Sequence, residues 1–415
     1  MGMKGRVLAV CAGVAIVASV AVTAASGAQR SDPGITSSSI KIGGTFPLTG
    51  VASLYKTIPA AEKAYFDYVN DHGGVNGRKI DFSILDDAYD PSKTVPLTQQ
   101  LVEQDKVFAV FGSLGTAQNL SIWSYLNSKK VPQVLIATGD SYWGFSAKKY
   151  PWTIGYQPDY PGEAKIYGKY IASTMPNAKI GVLYQNDSYG KNYYAGLRVG
   201  LLEKKSQIVS AQPYDVTNPS LTQQILALKA AGADTFVVFA TPSPTITALV
   251  TAAKVGWTPA ATLINNVSAN PLFLRAAAAN GANVDGVISS TYLVSPTYAP
   301  QANTTGVKLA KSIINQYAPA LVGSLTAGDS NVVYGLGAAW TFVYALQHAG
   351  KNPTRASLMK SLKSLNATDP FLYPGIKLQT SAKDNFPVEQ ELLIKWGGGK
   401  TGDWTPFGKL YNNVR

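Results

Sequence analysis

The hydrophobic pattern of the chain is clearest over residues 106–139. Residues 107–111 form an unbroken apolar run, mostly of β-branched and aromatic side chains, which is typical of a strand buried on both faces of a parallel sheet. A glycine-containing loop follows, and apolar positions then recur at helical spacing over residues 117–127. A second apolar run at 134–136 completes a strand–loop–helix–strand unit. The pattern predicts two parallel strands whose carboxyl ends lie at one edge of the sheet, where open α/β sheets bind ligands.

The same alternation extends on both sides of this unit. Residues 40–139 predict four strands alternating with three helices, and residues 162–264 predict four further helix–strand pairs. Residues 150–162 contain three prolines and four aromatic residues, and we interpret this stretch as a crossover between two lobes. A second crossover strand is expected at 286–290, and strand and turn structure from residue 371 onward. The predicted fold class is therefore α/β, with two doubly wound lobes.

The first 28 residues do not fit this pattern and predict a secretory signal peptide. A basic start precedes the apolar, alanine-rich residues 7–22, and Ser26 and Ala28 are small residues at the positions that signal peptidases read. We expect export, cleavage after Ala28 and a flexible leader over residues 29–39. A membrane anchor is the alternative reading, but the apolar run is at the short end of the roughly 17–25 residues that a span needs.

Cysteine use and charge narrow the class of protein further. Cys11 is the single cysteine and follows Val10 rather than a small residue, so we expect neither a lipid anchor nor disulfides in the mature chain. The net charge is +12, but the basic residues are scattered and no basic run exceeds two residues. Proteins that bind nucleic acid cluster their positive charge, so we expect no nucleic-acid partner.

The two loops at the predicted sheet edge are the first candidates for a binding site. They are small, carry hydroxyl groups and contain glycine, which lets a ligand approach backbone N–H groups, and the first loop precedes a helix N-terminus. This chemistry suits a carboxylate or another small anion. Helix capping uses the same residue types, so the loops alone leave both roles open. The candidates are Ser113, Leu114, Gly115 and Thr116 in the first loop, and Ala137, Thr138 and Gly139 in the second.

Tyrosine is abundant, with 23 residues. A tyrosine ring can pack while its hydroxyl makes a hydrogen bond, which suits the wall of a wet cleft. For any single tyrosine, ordinary partial burial is a more common reason for such a position than a ligand role. The tyrosines at predicted strand ends or in loops are Tyr55, Tyr142, Tyr156, Tyr160 and Tyr189. Of these, we predict that Tyr55, Tyr160 and Tyr189 contact the ligand.

The sequence gives little support for an enzyme. His72 and His348 are the only histidines, and both fall near predicted helix ends. No metal-ligand cluster, nucleophile elbow or glycine-rich nucleotide loop is present, so we expect no cofactor and no metal. Asp86 and Asp87 are adjacent on a predicted strand end and point to opposite faces, which favours turn and capping roles over an acid pair.

Several ordered motifs resemble one family. Its stretches are matched by Ile40-Lys41-Ile42-Gly43 with Pro47-Leu48-Thr49-Gly50, by the segment from Asn70 to Ile80, by Asp86-Asp87 with Asp90-Pro91, by Asp187-Ser188-Tyr189-Gly190 and by the segment from Leu228 to Asp234. Over residues 38–395 the chain resembles the branched-chain amino acid-type solute-binding proteins of ABC importers, which are type I periplasmic binding proteins.

The resemblance implies two α/β lobes joined by three crossover segments, with the ligand between them. The lobes would comprise residues 40–157 with 290–368, and 158–289 with 369–415. Hinge closure traps a small-molecule solute, and the closed form is delivered to the membrane permease subunits of the importer. The alternative is a sensing protein of the same fold that reports to a membrane receptor. We expect a monomer, an extracytoplasmic location and no catalysis.

The resemblance also assigns pocket residues. At two places the chain departs from the family pattern. The first loop maps to the segment that holds a ligand carboxylate in the family, Tyr55 to an aromatic after the first turn, and Tyr189 to a side chain that closes from the second lobe. Leucine-type members carry an acidic residue for the ligand ammonium where this chain has Asn265-Asn266, and an aromatic where it has Ala240-Thr241. We therefore place Asn266 in the pocket and expect an amide, an aromatic or hydroxy acid, or a small carboxylate as readily as a branched-chain amino acid.

Overall fold

The apolar runs of the sequence form the central strands of two largely parallel sheets. The computed structural model describes residues 1–3, 32–218, 220–381 and 384–412, and the chain from Asp32 onward forms one unit. The predicted signal peptide beyond its first three residues, and its cleavage site, lie outside the described residues. No helix in the described part of the chain combines the length and apolar character needed to cross a membrane.

The first sheet has five strands in the order β2-β1-β3-β4-β5, and all of its pairings are parallel. Its strands and the helices between them are β1 Ser39–Phe46, α1 Thr57–Asp71, β2 Lys79–Asp86, α2 Pro91–Gln99, β3 Ala109–Phe111, α3 Thr116–Ser128, β4 Gln133–Ile136, α4 Tyr142–Phe145 and β5 Thr153–Gly155. This order confirms the predicted parallel pairing of β3 with β4, so their following loops lie side by side.

The second sheet has seven strands in the order β14-β13-β10-β9-β8-β6-β7. Its elements are α5 Tyr160–Thr174, β6 Ile180–Gln185, α6 Ser188–Leu201, β7 Ile208–Tyr214, α7 Thr222–Ala230, β8 Thr235–Phe239, α8 Pro242–Lys254, β9 Ala261–Ile264, α9 Pro271–Ala279 and β10 Ile288–Thr291, with β13 Gln390–Gly397 and β14 Asp403–Asn412. Strand β8 is buried throughout because Phe236 and Val238 pack on one face of the sheet while Val237 and Phe239 pack on the other.

The chain between β10 and β13 returns to the first sheet. It forms α10 Thr305–Tyr317, α11 Val322–Thr326, α12 Ser330–His348, α13 Arg355–Leu362 and a small antiparallel pair, β11 Asn366–Ala367 with β12 Leu378–Gln379. Helix α12 is apolar nearly all round and packs in the core of the first lobe, where Phe342 contacts Phe66 and Phe111. A helix buried on most of its faces requires this composition.

The chain passes between the sheets three times, as the resemblance implied: after β5, after β10 and before β13. The expected crossover at residues 150–162 begins later than predicted, because β5 still belongs to the first sheet. Phe371, Leu378 and Val388 pack in the core of the first lobe. We therefore propose that this lobe continues to about residue 388 rather than ending at 368.

Three further expectations differ from the structure. The described part of the predicted flexible leader is packed, since Ile35 is buried and the Asp32 carboxylate accepts the backbone N–H of Arg355. The sequence pattern did not predict helices α9 and α13. The strand and turn structure expected from residue 371 onward includes the β13–β14 hairpin, which was not predicted; Gly398 and Gly399 supply the positive φ angles that its turn needs.

Helices α5 and α6 approach each other through glycines. A Cβ atom on Gly200 would lie 2.3 Å from the Lys165 carbonyl oxygen and 2.9 Å from the Gly168 Cα. A Cβ on Gly196 would lie 2.2 Å from the Pro161 carbonyl oxygen. These neighbours are backbone atoms, which cannot rotate away, so only glycine permits this packing.

We expect Gly200→Ala to lower the free energy of unfolding by about 1–3 kcal/mol, because the added methyl group overpacks a backbone contact. Denaturant unfolding monitored by circular dichroism measures this change. Gly323→Ala is the matched control: Gly323 is an exposed helical glycine whose Cβ would meet nothing within 4 Å, so alanine should stabilise α11 slightly. Equal losses in both variants would contradict the packing argument.

Candidate ligand-binding site

A cavity lies between the two sheets, at the carboxyl ends of their strands. It encloses about 580 Å³ that protein atoms do not fill, part of which is open to solvent. Both lobes and the second crossover contribute to its wall. The lining residues are Tyr55, Ile58, Tyr89, Leu114, Gly115, Thr116, Ala137, Gln157, Tyr160, Tyr189, Thr241, Asn266, Val267, Tyr292, Leu293, Ser330, Asn331 and Tyr334.

The loop between β3 and α3 forms one side of this cavity. Leu114 pairs in parallel with Ala137, so the two predicted loops are adjacent, as their sheet positions required. Gly115 has a φ of 107°, and a Cβ there would lie 2.1 Å from Gln118 Oε1. Helix α3 then begins at Thr116 without a side-chain cap, so its first backbone N–H groups have no intrahelical acceptor and no capping oxygen.

Eight of the eleven residues predicted for the site line the cavity, and three lie behind its wall. Ser113 is fully buried and its hydroxyl accepts the Thr45 backbone N–H at 3.1 Å. Thr138 is also buried, with its Oγ1 2.6 Å from Thr116 Oγ1. The carbonyl of Gly139 accepts the backbone N–H of Tyr160. These three residues hold the two loops in position, and whether the eight lining residues contact a ligand stays a prediction.

Six tyrosines make up much of the wall, and sequence reasoning found three of them. Burial raises the pKa of every one of these hydroxyls, so each remains a protonated group able to donate a hydrogen bond. Tyr334 is distinctive because its buried hydroxyl has no hydrogen-bond partner among the described residues. Tyr89 and Tyr292 follow the carboxyl ends of β2 and β10 closely, so applying the strand-end rule to every strand would have found both.

The wall carries no charged side chain within the described part of the chain. Buried carboxylates lie behind this wall, where Asp87 accepts the backbone N–H of Tyr89 and Asp329 accepts that of Asn331. Glu163 is buried in the same way behind Asn266. Its Oε1 accepts the backbone N–H of Asn266 at 2.7 Å and the Tyr167 hydroxyl at 2.7 Å, and its Oε2 accepts the Tyr193 hydroxyl at 2.6 Å. Burial, opposed by these hydrogen bonds, raises the pKa of Glu163 to about 7.

The two adjacent asparagines have different roles. Asn266 lines the cavity, and its Nδ2 donates to the Ser290 carbonyl oxygen at 2.6 Å. Asn265 is fully buried, with its amide oriented so that Oδ1 accepts the Tyr189 hydroxyl at 2.5 Å while Nδ2 donates to the carbonyl oxygens of Val238 and Ala240. Asn265 therefore fixes the ring of Tyr189, which is a role that the sequence pattern did not predict.

Polar contacts between the lobes surround the cavity. The Tyr55 hydroxyl donates to the Val267 carbonyl oxygen at 3.2 Å. Elsewhere, Asp140 of the first lobe accepts the Ser188 hydroxyl at 2.5 Å and the Asn192 amide at 3.1 Å, both on α6. These contacts join residues more than 45 positions apart in the chain and hold the two lobes together over the cavity.

A further contact joins two helix caps. Asn270 caps α9 and donates through Nδ2 to Asp329 Oδ1 at 2.6 Å, while Asp329 caps α12. Arg275 of α9 also donates to the Ala327 carbonyl oxygen at 2.7 Å. The structure is therefore a closed arrangement of the lobes, with paired polar groups on both.

The residues that sequence reasoning excluded from chemistry have structural roles. Asp86 and Asp87 accept backbone N–H groups in the turn after β2, as predicted. His72 and His348 each place Nδ1 2.8 Å from the carbonyl oxygen four residues earlier, at a helix end. No group of three or more potential metal ligands occurs among residues 1–3, 32–218, 220–381 and 384–412.

Two α/β lobes that close over an interlobe cavity define a bilobal binding protein. The family model described as periplasmic binding protein matches residues 39–400, and the chain belongs to this family. Among curated proteins, it is 25% identical over 233 residues to Leu/Ile/Val-binding protein homolog 7 of Brucella abortus, covering 54% of this chain and 58% of that one. The chain thus spans under two thirds of the length of this relative.

Three solved structures share the fold over about nine tenths of the chain. A branched chain amino acid ABC transporter protein from Thermus thermophilus with bound valine superposes with a TM-score of 0.79 at 18% identity, covering 91% of this chain and 97% of that one. A fatty acid ABC transporter substrate-binding protein from Thermomonospora curvata superposes with a TM-score of 0.74 at 23% identity, covering 91% of this chain and 94% of that one. A solute-binding protein from Rhodopseudomonas palustris BisB5 with 3,4-dihydroxybenzoic acid superposes with a TM-score of 0.73 at 20% identity, covering 91% of this chain and 98% of that one.

The raised pKa of Glu163 predicts a pH-dependent stability. The folded state retains a proton that an unfolded glutamate loses near pH 4.5, so this residue's contribution to the free energy of unfolding is greatest below that pH. This contribution to the free energy of unfolding decreases by on the order of 3 kcal/mol as the pH rises to about 7. We expect Glu163→Gln to remove this component in denaturant unfolding measured between pH 4.5 and 7.5. Parallel curves for wild type and variant would contradict the prediction.

Proposed function

We propose that this protein captures a small solute bearing a carboxylate but no ammonium group, closes its two lobes over it and delivers it to the permease of an ABC importer. The observation that carries the proposal is the uncharged, tyrosine-rich wall of a cavity that opens at the start of α3. Solute binding is the role of the family, and the ligand class and the delivery step are our inference.

The donors around the start of α3 favour an anion. The first backbone N–H groups of a helix carry a positive partial charge and lack acceptors, which makes this position suited to a carboxylate. The Thr116 hydroxyl lies at the same place, and Tyr334 contributes a buried hydroxyl without a protein partner. Hydrogen bonds from uncharged donors to a carboxylate are stronger than those between neutral groups.

An ammonium group has no comparable partner in this cavity. Burying an ammonium without a carboxylate costs several kcal/mol. Glu163, Asp87 and Asp329 each accept the backbone N–H of a wall residue, but none of the three lines the cavity. The oxygens of Glu163 are also occupied by three donors. The amide of Asn266 offers one uncharged acceptor, and its Nδ2 is already used. These contacts favour a carboxylic acid over an amino acid.

The named ligands of the structural neighbours are consistent with this class. Two proteins with this fold hold valine and 3,4-dihydroxybenzoic acid, and a third is named for fatty acids; each of these compounds contains a carboxylate. Only valine among them carries an ammonium. The fold thus accommodates carboxylates with and without an amine, and the wall chemistry of this chain supports the second kind.

We expect Thr116→Val to weaken carboxylate binding by about 1–3 kcal/mol, because the ligand loses a hydroxyl donor and its oxygen is left unpaired. Isothermal titration calorimetry on the wild type and the variant measures the change. Thr116→Ser keeps the hydroxyl and serves as the control, with near wild-type affinity expected. An unchanged dissociation constant in Thr116→Val would remove this residue from the binding role.

Closure should depend on the contacts to Asp140. We expect Asn192→Ala to raise the ligand dissociation rate by about tenfold, since it removes a hydrogen bond that joins the two lobes. The association rate should change little. The control is Asn186→Ala, which removes a hydrogen bond to Asp215 within the second lobe. Stopped-flow measurements that give equal dissociation rates for both variants would exclude this contact from closure.

A further inference from the structure

A second cavity lies beside the first and shares two of its wall residues, Leu293 and Ser330. It encloses about 460 Å³, part of it open to solvent. Its wall comes from the segment after β10, the starts of α9 and α12, and the β13–β14 hairpin. The lining residues are Ala269, Pro271, Thr291, Leu293, Val294, Ser295, Pro296, Tyr298, Gln301, Gly328, Ser330, Tyr373, Ile394, Trp404 and Pro406.

Most of this wall is apolar. Val294, Ile394 and Trp404 are each less than 9% exposed, and no lining residue of this cavity carries a charge. An apolar surface in a cavity of this kind gains free energy when a hydrocarbon chain displaces water from it. The chemistry of the wall therefore suits the uncharged part of a ligand.

Two lining residues contribute buried donors without partners. Gln301 is 4% exposed, and its Oε1 accepts the Ser295 backbone N–H at 2.6 Å, while its Nε2 has no hydrogen-bond partner among the described residues. Trp404 is 6% exposed, and its indole Nε1 also has no partner in the described chain. Buried polar groups are nearly always paired, so these two donors remain available to an acceptor that a ligand supplies.

The two cavities are adjacent, with Leu293 and Ser330 in the wall of both. Leu293 follows the second crossover strand and Ser330 begins α12, so both lie where the lobes meet. The cap-to-cap hydrogen bond between Asn270 and Asp329 involves neighbours of lining residues of both cavities. A ligand that extends past Leu293 would therefore contact both lobes over a greater length.

We propose that the second cavity is the far compartment of the ligand site, and that this protein takes an elongated carboxylic acid with an apolar chain and a neutral carbonyl or ether oxygen at its far end. The carboxylate lies at the start of α3, the chain passes Leu293, and the far oxygen accepts from Gln301 Nε2 and Trp404 Nε1. A second carboxylate is disfavoured because no cation lines this cavity. The inference rests on the proposed function for the position of the carboxylate.

Three probes test this arrangement: pentanoate, octanoate, and 7-oxooctanoate, which has the length of octanoate and a terminal methyl ketone. Calorimetric titration of the wild type should give rising affinity from pentanoate to octanoate, by up to about fourfold for each methylene that enters the apolar wall. 7-Oxooctanoate should bind about tenfold more tightly than octanoate, because its ketone oxygen accepts hydrogen bonds from the two donors.

Substitutions at residues that line only the second cavity separate its contribution to ligand affinity from that of the first cavity. Trp404→Phe removes one donor and keeps an aromatic ring, so it should reduce the ketone's advantage and leave pentanoate unaffected. Gln301→Leu removes the other donor and should do the same. Ala269→Leu fills the cavity and should abolish the gain from chain length. The two donor variants keep the test valid if Ala269→Leu does not fold.

Spectroscopy gives an independent readout of occupancy. Trp404 contacts Trp396 edge to face, with ring centroids 5.3 Å apart, so a ligand at its indole N–H should change the tryptophan emission. We expect 7-oxooctanoate to change the emission of the wild type, and the change to be absent in Trp404→Phe. Pentanoate should produce no Trp404-dependent change in either protein.

The outcomes distinguish this inference from the proposed function. If pentanoate binds and responds to Thr116→Val, but neither chain length nor the ketone matters, the second compartment is overturned and the carboxylate site stands; water then pairs the two donors. If octanoate binds equally well to Ala269→Leu and the ketone's advantage survives Trp404→Phe and Gln301→Leu, the chain runs elsewhere and the inference is also overturned. Failure of every carboxylate to bind rejects both proposals.

Discussion

The hydrogen bonds to Glu163 determine the chemistry of the binding cleft. This buried carboxylate accepts from the Asn266 backbone and from two tyrosine hydroxyls, which ties α5, α6 and the segment after β9 together. Because its oxygens are satisfied inside the second lobe, it supports the wall of the cavity without adding charge to it. The remaining polar groups of the wall are hydroxyls, amides and the first N–H groups of α3, which is why we assign a carboxylate rather than an amino acid to this site.

Closure of the lobes depends on contacts between residues distant in sequence. Asp140 receives two donors from α6, and Asn270 and Asp329 join the caps of α9 and α12. These hydrogen bonds can form only when the lobes meet, so each favours the closed state over the open one. A ligand shifts the same equilibrium in proportion to the extra contacts that it makes in the closed state. A ligand reaching both cavities would make more of them than one confined to the first.

Much of this architecture could be predicted from the sequence, because parallel strands and their helices leave strong periodic signals. The loops after β3 and β4 were placed correctly at one sheet edge for this reason. Tyr334 could not be predicted to line the cavity, since α12 returns to the first lobe and begins only at Ser330, whereas β5 ends at Gly155. Strand β5 has three residues and α9 contains four consecutive alanines, so neither leaves a distinct periodic pattern. Ser113 and Thr138 have the right chemistry, but their side chains are used to hold the loops.

The most direct test of the central claim compares ligands that differ only by the ammonium group. Calorimetric titration of the protein with 4-methylpentanoate and leucine, and with octanoate and 2-aminooctanoate, isolates that difference. The account predicts that each acid without the amine binds at least about tenfold more tightly than its amino acid, because the wall offers no carboxylate to the ammonium. Tighter binding of leucine and 2-aminooctanoate would contradict it and would indicate that an acidic group reaches the ligand.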